Sequence, residues 1–217
     1  MDMAGLALSH MSLEQIPRDF DFSAFQFEPV IKLPKDYEVY DLTGGYDPNR
    51  KRRSPYGIGR YNERRPGMYQ TDLFKSGHDD VRDIHVGIDI AAPVGTPVHA
   101  FYDGRIYMTG INPAPGDYGG TIITEHDLGG RLIWALHGHL SHASVRAREA
   151  GESFKAGDVI GWVGDTDENG GWNPHVHFQL SWFKPDKCDM PGTVSEKDLE
   201  RALLIYPDPR LVLGPLY

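Results

Sequence analysis

From Val86 onward the chain is a series of short β-favouring runs separated by glycine-rich turns: TPVHAFY, GRIYMTG, GTIITEHD, RLIWALHGHL, DVIGWVG and HVHFQLSWF. Runs of this kind, closely spaced with turn residues between them, predict antiparallel sheet. No strand–helix–strand rhythm is present. The expected fold class is therefore mainly β, with a short C-terminal helix that Ser195 caps, that runs to about Leu204 and that Pro207 and Pro209 close.

Residues 1–82 have a different texture. They are polar and irregular, with a stretch GGYDPNRKRRSPYGIGRYNERRPG from Gly44 to Gly67 whose composition is that of loops. A short helix is expected from Ser12, with Gln15 completing a capping box and Pro17 ending it. The basic run Arg50-Lys51-Arg52-Arg53 is expected to be a solvated turn. Aromatic residues spaced through the segment suggest that 1–82 is an extension packed on a main domain of residues 83–217.

At 217 residues the chain can bury a real core. Its formal net charge of −9 is a poor match for nucleic acid, which needs lysine and arginine. The one cysteine, Cys188, permits no intramolecular disulfide, and no base adjoins it to make it a nucleophile. The start, MDMAGLALSH, lacks the basic and apolar regions of a secretory leader, and no apolar stretch could span a bilayer. A cytoplasmic protein with no membrane partner is expected; the cell envelope or secretion is the alternative if a leader is missing.

The chemistry lies in the histidines. Four of the ten form two tight pairs, His137-Gly138-His139 and His175-Val176-His177. A third element, HVGID, sets His85 and Asp89 four apart. In extended chain, residues two or four apart share a face. Each histidine pair is thus expected to project both rings to one side, and His85 and Asp89 to converge. Imidazole nitrogen with carboxylate oxygen is a zinc ligand set, and a catalytic zinc keeps three protein ligands and one open position. Further histidines beside the metal could move protons. His126 reads as structural, His10, His99 and His142 as surface or packing residues, and His78 as a candidate extra ligand.

The sequence resembles the lysostaphin-type zinc endopeptidases, which include the β-lytic endopeptidases. The resemblance rests on HVGIDIAAPVGTPVHA (85–100), HGHLS (137–141) and GWNPHVHFQ (171–179), in the family's order, and covers about residues 83–182. It implies zinc ligands at His85, Asp89 and His177, catalytic roles for His139 and His175, and a groove over the metal between antiparallel strands. It also implies hydrolysis of a peptide bond in peptidoglycan cross-bridges or glycine-rich peptides. His137, Tyr118 and Asn173 are candidates to touch substrate or back the ligands. His137 stands where the family often has tyrosine, and its ring could replace that phenol or compete for metal. Gln179 stands where glutamate is frequent, and the DENGGWN loop (167–173) is longer than usual. Two other readings stay open: a cytosolic amidohydrolase or peptidase acting on a small metabolite, and a non-catalytic metal-binding regulatory module. Oligomeric state, and whether residues 1–82 cover the groove, are left undetermined.

Overall fold

The computed structural model describes residues 12–45, 47, 49–74 and 81–217. His10 and His78, with the ligand role considered for His78, lie outside them. The strands in chain order are β1 (Glu38–Val39), β2 (Gly57–Gly59), β3 (Glu63–Arg64), β4 (Ile84–His85), β5 (Ile88–Ala91) and β6 (Pro97–His99). There follow β7 (Gly104–Asn112), β8 (Gly119–Asp127), β9 (Leu132–Leu140), β10 (Ser153–Phe154), β11 (Val159–Trp162), β12 (His175–Ser181) and β13 (Thr193–Val194).

Eight of them form one sheet in the order β1-β2-β5-β12-β9-β8-β7-β10, and two small sheets, β11-β6 and β13-β4-β3, lie beside it. All described pairings are antiparallel except β1 with β2. The mainly β, antiparallel expectation is met, and the one parallel pair comes from the segment read as irregular extension.

Period-two alternation decides which face is dry. Ile88, Phe178, His137 and Ile122 stand in one cross-strand row and are fully buried. Phe101 meets Phe178 edge-on at 5.7 Å. This face is the core, and the polar groups of the site occupy the other.

The described residues up to 65 build into this frame. Phe20, Phe22, Phe25 and Phe27 form a ring-to-ring cluster that reaches Trp182, Phe101 and Tyr102. Tyr61 donates its hydroxyl hydrogen to the carbonyl of Tyr206 at 2.6 Å. The helix expected at Ser12 is a single 3-10 turn, Leu13–Gln15, in which the Ser12 side chain makes no cap bond. Of the basic run, Arg50 and Arg53 pair with Glu38.

Three short helices complete the described fold: α1 (His142–Arg146), α2 (Glu196–Ile205) and α3 (Arg210–Leu213). α2 lies where expected, although Ser195 bonds Asp198 rather than capping a backbone N–H. Pro209 does not end helical structure; it starts α3, where its fixed φ suits a first turn. Among the described residues no helix is long and apolar enough to cross a membrane.

Candidate metal centre

The HVGID element does not act as one strand. In continuous β structure, residues four apart are about 13 Å apart along the chain and cannot share an ion. Instead β4 belongs to the small sheet and β5 to the large one, and the chain bends between them at Val86–Gly87. A Cβ on Gly87 would lie 2.5 Å from the ring of His177, so a side chain is excluded where the two ligands meet. The bend brings His85 Nε2 to 3.1 Å from Asp89 Oδ1.

β12 supplies the third group as the spacing predicts. His177 is in register with Asp89 and His175 with Ala91, both on the groove face. His177 Nδ1 lies 3.1 Å from Asp89 Oδ1 and 2.9 Å from His85 Nε2. These are the described residues whose donor atoms converge as a possible metal group.

Hydrogen bonds behind the rings decide which nitrogen faces inward. His85 Nδ1 lies 2.9 Å from the carbonyl of Arg60; a carbonyl only accepts, so this nitrogen carries the hydrogen. His177 Nε2 donates to Gln179 Oε1 at 2.9 Å, and the orientation of that amide is set because its NH2 donates to the carbonyl of Pro191. The inward atoms, His85 Nε2 and His177 Nδ1, are therefore both lone pairs. Burial, followed by the positive charge of Arg65, pushes the His85 pKa down to about 4, so His85 Nε2 carries no proton at neutral pH.

Two lone pairs and a carboxylate oxygen facing one another call for a cation. The triangle has edges of 2.9, 3.1 and 3.1 Å, so its centre lies about 1.8 Å from each corner. That separation is compatible with zinc bonds of about 2.0–2.2 Å to all three ligands. The donor set and its spacing fit zinc.

His139 reaches the same face by a bulge. Between the Gly120–Leu140 and Ile122–His137 pairs, β9 carries one more residue than β8, and His139 has a left-handed φ of 62°. Its ring centroid lies 4.3 Å from that of His175. His137, on the regular part of β9, points the other way, into the core against Phe178 at 5.2 Å. The expectation that both rings of this pair share a face is corrected, and so is a role for His137 at metal or substrate. Both its nitrogens are buried with no well-formed hydrogen bond, only the backbone of Ile122 and Ala135 lying near them, and burial pushes its pKa down to about 3.

One loop orients both groove histidines. His139 Nδ1–H donates to the carbonyl of Asn169 at 2.8 Å and His175 Nδ1–H to that of Asn173 at 2.6 Å. Asn173 thus contributes its backbone. The Asn169 side chain knots the loop, accepting from Gly171 N and Trp172 N and donating to Trp172 O. Both Nε2 atoms are left as proton acceptors. Burial holds both histidines below the usual imidazole pKa, and for His139 the charge of His175 is the next cause.

Tyr118 lies between the rings of His177 and His139, at 5.1 and 5.5 Å, and donates its hydroxyl hydrogen to the carbonyl of Met190. It backs the site. His126 is structural as expected, both ring nitrogens being bonded, to Thr124 and Asp103. Sequence reasoning missed Arg65, which pairs with Asp89, and the orienting acceptors Arg60 and Asn169. The two backbone acceptors carry no side-chain signal, and Arg65 lies in a segment with no motif.

Comparison with known proteins follows the same residues. The model of Peptidase family M23 matches residues 83–189. The DD-carboxypeptidase/endopeptidase Mpg of Neisseria meningitidis is 40% identical over 96 residues, which is 44% of this chain and 20% of that protein. Glycyl-glycine endopeptidase ALE-1 of Staphylococcus capitis is 39% identical over 98 residues, 44% of this chain and 24% of that protein. The chain therefore spans about a fifth to a quarter of the length of these relatives. The catalytic domain of lysostaphin from Staphylococcus simulans aligns with a TM-score of 0.44 and 22% identity, over 66% of this chain and 91% of that one.

Proposed function

We propose that the chain, whose residues 83–189 match the model of Peptidase family M23, is a zinc-dependent hydrolase of peptide bonds whose substrate is the peptide part of peptidoglycan. The observation that carries the reading is the triangle of His85, Asp89 and His177, with two inward lone pairs and a carboxylate oxygen. The substrate class is taken from the relatives named as endopeptidases, among them the peptidoglycan DD-endopeptidase ShyA of Vibrio cholerae, 34% identical over 96 residues, 44% of this chain and 20% of that protein.

His85, Asp89 and His177 would hold the metal. Zinc held there would supply a water with its pKa lowered to roughly 7 and a Lewis acid for the scissile carbonyl. The remaining work falls to His139 and His175. Both are neutral at pH 7 and present Nε2 to the groove. Their rings are 4.3 Å apart, and charge on His175 disfavours charge on His139, so the pair takes up one proton at a time. An Nε2 accepts that proton from the attacking water and returns it to the departing amine.

Two measurements test this. Metal analysis of purified protein should give one zinc per chain, and none in His85→Ala. Peptidoglycan-derived cross-linked peptides should be cut by the wild type and not by His177→Ala. Metal-loaded wild type that cuts no such peptide would overturn the hydrolase reading, and wild type that takes up no zinc would overturn the metal site.

A further inference from the structure

The carboxylate of Asp89 has two oxygens with different neighbours. Oδ1 faces His85 and His177 at 3.1 Å each. Oδ2 is held by Arg65 Nη1 at 2.6 Å. Arg65 comes from the segment just after β3, outside the part of the chain that the family model matches. It is fully buried.

Every arm of its guanidinium is engaged. Nε donates to Glu63 Oε2 at 3.0 Å, Nη2 to the carbonyl of Arg60 at 3.2 Å, and Nη1 also to Tyr69 Oη at 3.0 Å. The Arg60 carbonyl that receives Nη2 is the one that fixes the tautomer of His85. Gly59 leaves room for the fork: a Cβ there would lie 2.8 Å from Arg65 Nη2 and 3.1 Å from Asp89 Oδ2. A buried guanidinium with this many directed bonds has one orientation, and the second oxygen of Asp89 shares it.

We infer that Arg65 is a positioning residue that restricts Asp89 to ligation through one oxygen. The inference rests on the proposed metal site. A carboxylate can bind a metal through one oxygen or two. Two-oxygen binding would need Oδ2 to leave the guanidinium, and it would crowd the open position that water and substrate require. Arg65 also connects two ligands, since it bonds Asp89 directly and meets His85 through the Arg60 carbonyl.

The test uses the full chain and two metals. Zinc affinity is measured by chelator competition, and the visible absorption of the cobalt(II)-loaded protein reports coordination number, in wild type, Arg65→Met, Arg65→Lys and Gly59→Ala. Thermal unfolding identifies the folded variants. Arg65→Met should bind zinc about 10-fold or more weakly, the usual scale for groups that orient a ligand. Its cobalt spectrum should lose intensity as Asp89 turns to two-oxygen binding, and Arg65→Lys should recover part of both. Gly59→Ala, which displaces the fork without removing it, should move both readouts in the same direction. Wild-type affinity and spectrum in folded Arg65→Met, or in Gly59→Ala if Arg65→Met does not fold, would overturn the inference while leaving the metal site intact. A wild type that binds neither metal would instead overturn the site itself.

Discussion

His137 and His139 are two residues apart and face opposite sides of the sheet. His139 faces the groove only because its backbone is left-handed. His139→Ala should keep its zinc and lose roughly 10²–10⁴-fold in kcat, the usual worth of a positioned acid–base group; full activity would remove His139 from the mechanism. Because burial holds His139 and His175 below the ordinary imidazole value of 6.5, the base form persists as pH falls through that value. The acid limb of kcat against pH should therefore lie below pH 6.5.

His137 and His126 act on stability instead. Their folded pKa values are depressed, to about 3 and about 4, so the unfolded chain binds more protons between those values and 6.5. Stability is full above pH 6.5 and falls as pH drops through the window, by up to about 1.4 kcal/mol per pH unit for each group. His137→Leu removes two buried nitrogens that make no well-formed hydrogen bond, without leaving a large cavity. It should match or exceed wild-type stability at pH 7 and show a shallower loss in acid. A steeper loss in a thermal-unfolding series against pH would contradict this account.

At the scale of elements, the site depends on two interruptions of regular strand. The bend between β4 and β5 joins His85 to Asp89, and the bulge in β9 turns His139 around. Gly87→Ala places a methyl group against the His177 ring and the Phe178 carbonyl. It should cost about 1–3 kcal/mol, as overpacking does, and should weaken zinc binding, measured by chelator competition. A stable variant with unchanged affinity would mean that the bend is not needed. The 169–173 loop is the third such element, since its carbonyls orient both groove histidines.

At the scale of the whole molecule, residues before the matched domain supply strands β1 to β3, the phenylalanine cluster and the arginine bonded to Asp89. β2 lies directly against β5, and without it β5 becomes a sheet edge. A chain beginning at residue 83 should therefore melt at a clearly lower temperature than the full chain and hold zinc more weakly. Equal melting and equal affinity would show that the first 82 residues are dispensable.

The residues of the candidate site were legible in the sequence because metal ligation needs particular atoms. His85, Asp89, His139, His175 and His177 stand in short motifs whose residue types announce the chemistry, and strand alternation was enough to place His175 and His177 on one face. The mainly β fold was legible for a similar reason, since period-two runs between glycine-rich turns permit little else. Alternation could not decide where it fails. A strand bend and a one-residue bulge reverse the side on which a residue emerges, and both arise from contacts with partners distant in sequence: His177 against Gly87, and β8 against β9. The same limit hid Arg65, which is 24 residues from Asp89 and lies in a segment of loop composition. The tertiary structure alone determines that this arginine is buried against a ligand, because only a folded chain supplies the acceptors that offset the cost of burying its charge.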